Sequence, residues 1–176
     1  MNEASKIRSR VLPILERGTV LDLGCGDEKI VPWAIGVDDA SEWRERPKAV
    51  DVCAKIDPTA RQLEEALRRI GAPAEFDTVF SSHAIEHLVP PPAETLRYWI
   101  GFAKIGGFVI LQNVDERHYL YDRAHPWVKN PAHRHLITKP MFDEILAREG
   151  RLGVLENELR VGPDEYSVLI IARRLA

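Results

Sequence analysis

Short apolar runs alternate along the chain with amphipathic stretches, the pattern of parallel strands joined by helices. Runs rich in Val, Ile and Phe predict strands at TVLDLG (19–24), AIGVD (34–38), AVDVCA (49–54), FDTVFSS (76–82) and GFVILQNV (107–114). Between the third and fourth, DPTARQLEEALRRIG predicts a helix with Ala60, Leu63, Leu67 and Ile70 on one face, Asp57 as N-cap, Pro58 at the first helical position and Gly71 closing it. PPAETLRYWIGFAKIGG repeats that logic, with prolines before and Gly106 and Gly107 after, and turns Leu96, Ile100 and Ala103 toward the sheet. A third helix is expected over TKPMFDEILAREG with Thr138 as its cap. The last apolar segments, LGVLENELRV and YSVLIIARR, flank the turn sequence GPDE and predict an antiparallel hairpin. The sum is an α/β fold, a doubly wound, mostly parallel sheet in a three-layer sandwich with a reversed C-terminal hairpin.

Composition narrows this picture. At 176 residues and 45% hydrophobic content, the sequence suits one domain over 1–176 with a real core. A formal charge of -3 and a pI near 6.1 give no global pull toward nucleic acid or an anionic membrane. The opening MNEASKIRSRVLPIL lacks the apolar run of a signal peptide, so a soluble, cytoplasmic protein is expected. Cys25 and Cys53 sit inside apolar runs without paired metal spacing and are expected as buried thiols.

The chemistry begins at VLDLGCGDEKIVPWAIGVD, residues 20–38. A strand ending in a glycine turn presents backbone amides and admits a ligand closely, because glycine has no Cβ. Dinucleotide binding asks for Gly-x-Gly-x-x-Gly, and here Lys29 holds the third position. Asp27 and Glu28 would place two carboxylates where a pyrophosphate must lie. A ligand with a positive centre and no phosphate suits the same residues, and S-adenosylmethionine, with its sulfonium and ammonium, is such a ligand.

The stretch resembles motif I and the second-strand acid of the class I S-adenosylmethionine-dependent methyltransferases, whose loop reads acid-x-Gly-x-Gly-x-Gly. Asp22, Gly24 and Gly26 match and Glu28 replaces the third glycine. FDTVFSSHAIEHL (76–88) is similar to the family's fourth-strand motif and AKIGGFVILQNVD to its turn and fifth strand, as in the type 11-like methyltransferase domain. The resemblance implies a Rossmann-like fold and S-adenosylmethionine as cofactor. It implies that Gly24, Cys25 and Gly26 wrap the methionine portion through backbone amides, with Asp22 near the ammonium. Asp38, with Asp39 beside it, takes the ribose hydroxyls, and Ser81, Ser82 and His83 stand at the ligand edge of the fourth strand. Asp51, Lys55 and Asp57 are alternatives for adenine. Only Asp27 to Ala34 connect the loop to the second strand, so at most one helical turn is expected there, with Lys29 and Trp33 over the cofactor.

The acceptor side is expected in the long connection 115–138, DERHYLYDRAHPWVKNPAHRHLIT. His118, His125, His133 and His135, with Tyr119, Tyr121, Trp127, Arg117, Arg123, Lys129 and Arg134, suit a polar or anionic small molecule. His133 and His135 are the candidate bases, because they precede the segment that returns toward the sheet. The same pair could hold a metal with Asp122 or His125, but no diagnostic ligand spacing supports it and no metal is assigned. Glu86 and His87 read as capping or surface residues, and Cys25 as packing rather than nucleophile. The expected activity is methyl transfer to a small polar acceptor, a hydroxyl by preference and a sugar hydroxyl among the candidates. A non-catalytic cofactor-binding module of the same fold is the alternative, with an NAD-dependent oxidoreductase behind it.

Overall fold

The structure, a computed structural model, describes residues 3–39, 48–117, 132–162 and 165–176. Its sheet runs β1 (Val20–Leu23), β2 (Ile35–Asp38), β3 (Val52–Cys53), β4 (Phe76–Ser82), β5 (Ala103–Val114), β6 (Leu152–Gly162) and β7 (Glu165–Arg174). Among the described residues these form one seven-stranded sheet in the order β3-β2-β1-β4-β5-β7-β6. β1 pairs parallel with β2 and β4, while β7 runs antiparallel to both β5 and β6, so the expected hairpin is present. The order reverses at β1, which opens a crevice at the carboxyl ends of β1 and β4.

The apolar alternation along β5 sorts the core. Val109 and Leu111 face a cluster with Leu63 and Leu67 of α2 (Gln62–Arg69), Leu96, Trp99 and Ile100 of α3 (Pro92–Ile100), and Phe142 and Leu146 of α4 (Lys139–Arg148). Phe108 and Ile110 face the other way, against Val11 and Leu15 of α1 (Arg8–Leu15) and Ile30, Val31 and Ala34 of the β1–β2 connection. No helix forms in that connection; its three apolar side chains fill the place instead. Among the described residues no helix is long and apolar enough to cross a membrane.

Several expectations change in detail. α1 has no counterpart in the periodicity reading. α2 starts at Gln62 rather than Pro58, after Arg61 at φ 48°. Asp57 is no helix cap: its Oδ1 accepts from the Thr59 amide at 2.9 Å and from the Thr59 hydroxyl, closing a local turn that diverts the chain before the helix begins. β5 begins at Ala103, so Ala103 is a strand residue paired with Phe76, and Gly106 at φ 80° absorbs the register shift before Phe108 meets Thr78. Cys53 is exposed, because β3 is a two-residue edge strand with one face uncovered; Cys25 is buried as expected. Thr138 caps α4 as predicted, its hydroxyl accepting from the Met141 amide at 3.3 Å.

Candidate active site

β1 hands over to a loop in which Gly24 and Gly26 both take left-handed φ, 75° and 53°. A Cβ on Gly24 would lie 2.5 Å from the Ala84 Cβ, so glycine here lets the loop touch the segment after β4. The amides are engaged internally. Gly24 N–H and Cys25 N–H donate to the Val37 carbonyl at 2.8 and 3.3 Å, and Gly26 N–H donates to Asp38 Oδ2 at 3.1 Å. The loop is therefore folded onto β2 by the groups expected to wrap the ligand, and its glycines contribute room. Asp22, one residue before the end of β1, points to the α1 side of the sheet. Its carboxylate accepts from Ile30 N–H at 2.7 Å, it does not line the cavity, and burial above all raises its pKa to about 7. The Cys25 thiol is turned inward, where burial and then the Asp22, Asp38 and Asp51 carboxylates push its pKa up, which suits packing and not nucleophilic attack.

The side chain in place of the third glycine is anchored outside the site. Glu28 pairs with Arg8 of α1 at 2.5 Å, and the same guanidinium donates to the Ile30 carbonyl at 2.7 Å and the Lys29 carbonyl at 3.3 Å. Lys29 Nζ reaches Asp51 Oδ2 at 2.9 Å, and Trp33 is 51% exposed. Neither lines the cavity, so the expectation that they cover a cofactor fails: the short connection is drawn toward α1 and β3, away from the crevice.

A cavity of about 370 Å³ opens at the switch point. Gly24, Gly26, Asp38 and Asp39 form one wall, Lys55, Ile56 and Asp57 the next, and His83, Ala84, His87, Leu88, Val89 and Arg134 the opposite side. Lys55 and Asp57, two of the adenine alternatives, are thus at the cavity, and Asp51 is not. Ser81 and Ser82 serve the sheet: Ser81 Oγ donates to the Leu23 carbonyl at 2.8 Å and Ser82 Oγ donates to Gln112 Oε1 at 3.2 Å, and neither lines the cavity. His83 does, at a left-handed φ of 51°, held by its N–H to the Gln112 carbonyl at 2.8 Å.

Beyond His83 the chain makes a 3-10 turn, Ile85–His87, and Glu86 is fully buried there. This corrects its reading as a surface or capping residue. Glu86 Oε2 accepts from Asn113 Nδ2 at 2.8 Å and Oε1 lies 3.5 Å from His83 Nδ1. Burial opposes its ionisation, but the His83 hydrogen bond and charge and the neighbouring His87 outweigh it, so its pKa is lowered. The Glu86 carbonyl accepts from Arg134 N–H at 2.7 Å and His135 N–H at 3.3 Å, which brings the far end of the long connection to the cavity. Its ends are also tied to each other. Glu116 N–H donates to the Ile137 carbonyl at 2.9 Å, and the buried Asp115 accepts from Lys139 N–H at 3.0 Å and from Arg117 Nη2 at 2.6 Å.

The two histidines of the His-x-His pair part ways. His133 Nδ1 lies 2.8 Å from Glu116 Oε1, and its ring meets the His87 ring edge-on at 4.8 Å. His135 joins neither contact, and its buried Nε2 has no hydrogen-bond partner among the described residues. Ligand atoms of Glu86, His87 and His133 lie within 4.8 Å of one another. His118, Tyr119, Tyr121, Asp122, Arg123, His125, Trp127 and Lys129 lie outside the described residues. The spacing of His83, Glu86 and His87 was the available sequence signal for this group, but a single 3-10 turn has no periodicity to reveal it.

A family of known proteins described as a methyltransferase domain matches residues 2–150. No curated protein sequence matches the chain. Among solved structures, an S-adenosylmethionine-dependent methyltransferase from Mesorhizobium loti superposes with a TM-score of 0.68 at 18% identity, over 98% of this chain and 99% of that one. Magnesium protoporphyrin IX methyltransferase from Synechocystis with bound S-adenosylmethionine gives 0.60 at 13% identity, over 97% of this chain and 79% of that one. The plantazolicin methyltransferase in complex with S-adenosylhomocysteine gives 0.62 at 10% identity, over 97% and 82%. With its seven-stranded sheet in the Rossmann-like order and a family match over most of its length, the chain belongs to the methyltransferase-domain family.

Proposed function

We propose that this chain transfers a methyl group from S-adenosylmethionine to an oxygen of a small polar acceptor, with sugar hydroxyls among the candidates. The observation that carries the reading is the cavity at the switch point, walled on one side by the glycine turn and by Asp38 and Asp39. Those residues fit the cofactor. Gly24 and Gly26 allow close approach, and the carboxylates suit a ligand with a sulfonium, an ammonium and ribose hydroxyls. Two structural neighbours hold S-adenosylmethionine or its demethylated product. When bound, the cofactor supplies an electrophilic methyl on a positively charged sulfur. The chain's own residues orient it and deprotonate the acceptor.

In this reading Asp38 takes the ribose hydroxyls with Asp39 beside it, while Asp22 and Cys25 brace the loop and Ser81 and Ser82 fix the strand ends. Proton removal falls to the imidazoles on the opposite side, His83 and His87 at the wall and His133 behind them; His135, hydrogen-bonded through its backbone to Glu86, is the weaker candidate. The acceptor is not set by the fold, since the named neighbours act on molecules as unlike as magnesium protoporphyrin IX and plantazolicin.

Titration calorimetry with S-adenosylhomocysteine, and separately with NADH, tests the cofactor assignment. Binding of the former in the micromolar range, roughly -7 to -8 kcal/mol, is expected. Asp38→Ala should weaken it by about 1.5–3 kcal/mol, because a charged acceptor is lost. Unchanged affinity would move the ribose partner to Asp39, and no heat at millimolar ligand would overturn the reading. Turnover of labelled cofactor over a panel of hydroxylated acceptors then separates the enzyme from a binding module, which would bind and never transfer.

A further inference from the structure

We propose that Glu86, His87 and His133 form a binding site for a divalent first-row transition ion at the acceptor end of the cavity, with Glu116 orienting the His133 ligand. Two imidazoles and one carboxylate converge there, with ligand atoms within 4.8 Å of one another. That donor set, two nitrogens and an oxygen, suits Zn²⁺ and its first-row neighbours and leaves coordination positions for an exogenous oxygen.

Three further features favour an ion over an idle cluster. Glu86 is fully buried, its carboxylate 3.5 Å from His83 Nδ1 and next to His87 in the same 3-10 turn. Buried carboxylates of this kind are found paired or coordinating metal. Next, Glu116 Oε1 sits 2.8 Å from His133 Nδ1, the arrangement in which a carboxylate fixes the orientation of a metal-binding imidazole so that it coordinates through Nε2. Third, the donors come from rigid places. Asn113 Nδ2 holds Glu86 Oε2 at 2.8 Å from the middle of the sheet, and the residues around His133 are tied to Glu86 by the Arg134 and His135 amides. The edge-on contact of the His87 and His133 rings at 4.8 Å needs little movement for both to bind one ion.

The position gives the ion a role. His87 lines the cavity, so an ion on it would face an acceptor oxygen, orient it and withdraw charge from it. His83, at the cavity wall and outside the donor set, then stands as the proton acceptor. The site rests on the donor geometry; only this role rests on the methyl-transfer reading.

The test is ion binding by the full, tag-free chain after chelator treatment, without cofactor or acceptor. Zn²⁺ is titrated calorimetrically and Co²⁺ by its visible absorption. One ion per chain with micromolar or tighter affinity is expected, on the order of -8 kcal/mol or better. His87→Ala and His133→Ala should each weaken it at least tenfold, and Glu116→Gln by tenfold to a hundredfold, as for other groups that orient a ligand. His135→Ala should keep wild-type affinity. Melting temperatures without ion show that the variants fold, and at one Zn²⁺ concentration the rise should be equal in wild type and His135→Ala and smaller in the other variants. No binding by wild type, or affinity unchanged in His87→Ala and His133→Ala, overturns the site. Loss in His135→Ala equal to that in His133→Ala also overturns it, because the ion would then sit on the His-x-His pair. Binding of S-adenosylhomocysteine, measured on the same samples, is unaffected by this outcome and keeps the two proposals apart.

Discussion

Asp22 shows how one side chain of a shared motif can serve the fold before it serves a ligand. Its carboxyl has a pKa near 7 inside the protein, against 3.8 as an ordinary aspartate, chiefly because burial penalises its charge. The folded chain therefore holds a proton that the unfolded chain has lost between those pH values. The contribution of Asp22 to stability should fall as pH rises from about 4 to about 7 and then level off, by about 2–4 kcal/mol. Asp22→Asn keeps an oxygen for the Ile30 amide and has nothing to ionise. The difference in unfolding free energy between variant and wild type, measured in urea, should grow in the variant's favour across that pH window. A constant difference would show that Asp22 is ionised in the fold. Gly24 is specific in another sense: both its φ of 75° and the Ala84 contact exclude a side chain, so two segments far apart in sequence are joined by a missing atom.

At the scale of elements, the β1–β2 connection does without a helix because α1 reaches across to it. Arg8 takes two of its carbonyls and Glu28 together. Arg8→Ala should cost about 1 kcal/mol or more, since backbone carbonyls lose their donor, and more than Glu28→Ala, whose exposed pair with Arg8 is worth a few tenths of a kcal/mol. Denaturation midpoints of the two variants check the order; equal losses would assign the anchoring to the ion pair alone. β1, β2 and β4 were legible in the sequence because each is a short apolar run, and Thr138 was legible because a cap acts within one turn. α1 was not, since RSRVLPIL carries Pro13 and only Val11 and Leu15 as buried positions. Asp57 misled because one residue type caps helices and closes turns alike. At the cavity wall, Gly24, Gly26 and Asp38 could be grouped in advance because they are close in sequence. The grouping of Glu86, His87, Glu116 and His133 could not, because it arises only when the end of a long connection folds back onto a 3-10 turn.

On the scale of the whole molecule, the two faces of the sheet are covered unequally. Among the described residues one face carries α2, α3 and α4, and the other carries α1 and the β1–β2 connection. Leu15 is fully buried on the thinner face. Leu15→Ala should lower stability by about 2–5 kcal/mol with S-adenosylhomocysteine affinity of the folded fraction unchanged. Unfolding followed by circular dichroism, with calorimetry at low temperature, measures both, and a loss below about 1 kcal/mol would mean that this face repacks. The joined ends of the long connection have a different kind of consequence. Glu116 and Ile137 are held together by a backbone bond, and Asp115 holds the start of α4, so the two ends of the connection are closed on the scaffold itself. Doubling such a closed segment costs only about 0.6 kcal/mol. A chain lengthened or shortened between Arg117 and Ala132 should therefore keep the scaffold's stability to within about 1 kcal/mol, as urea denaturation would measure.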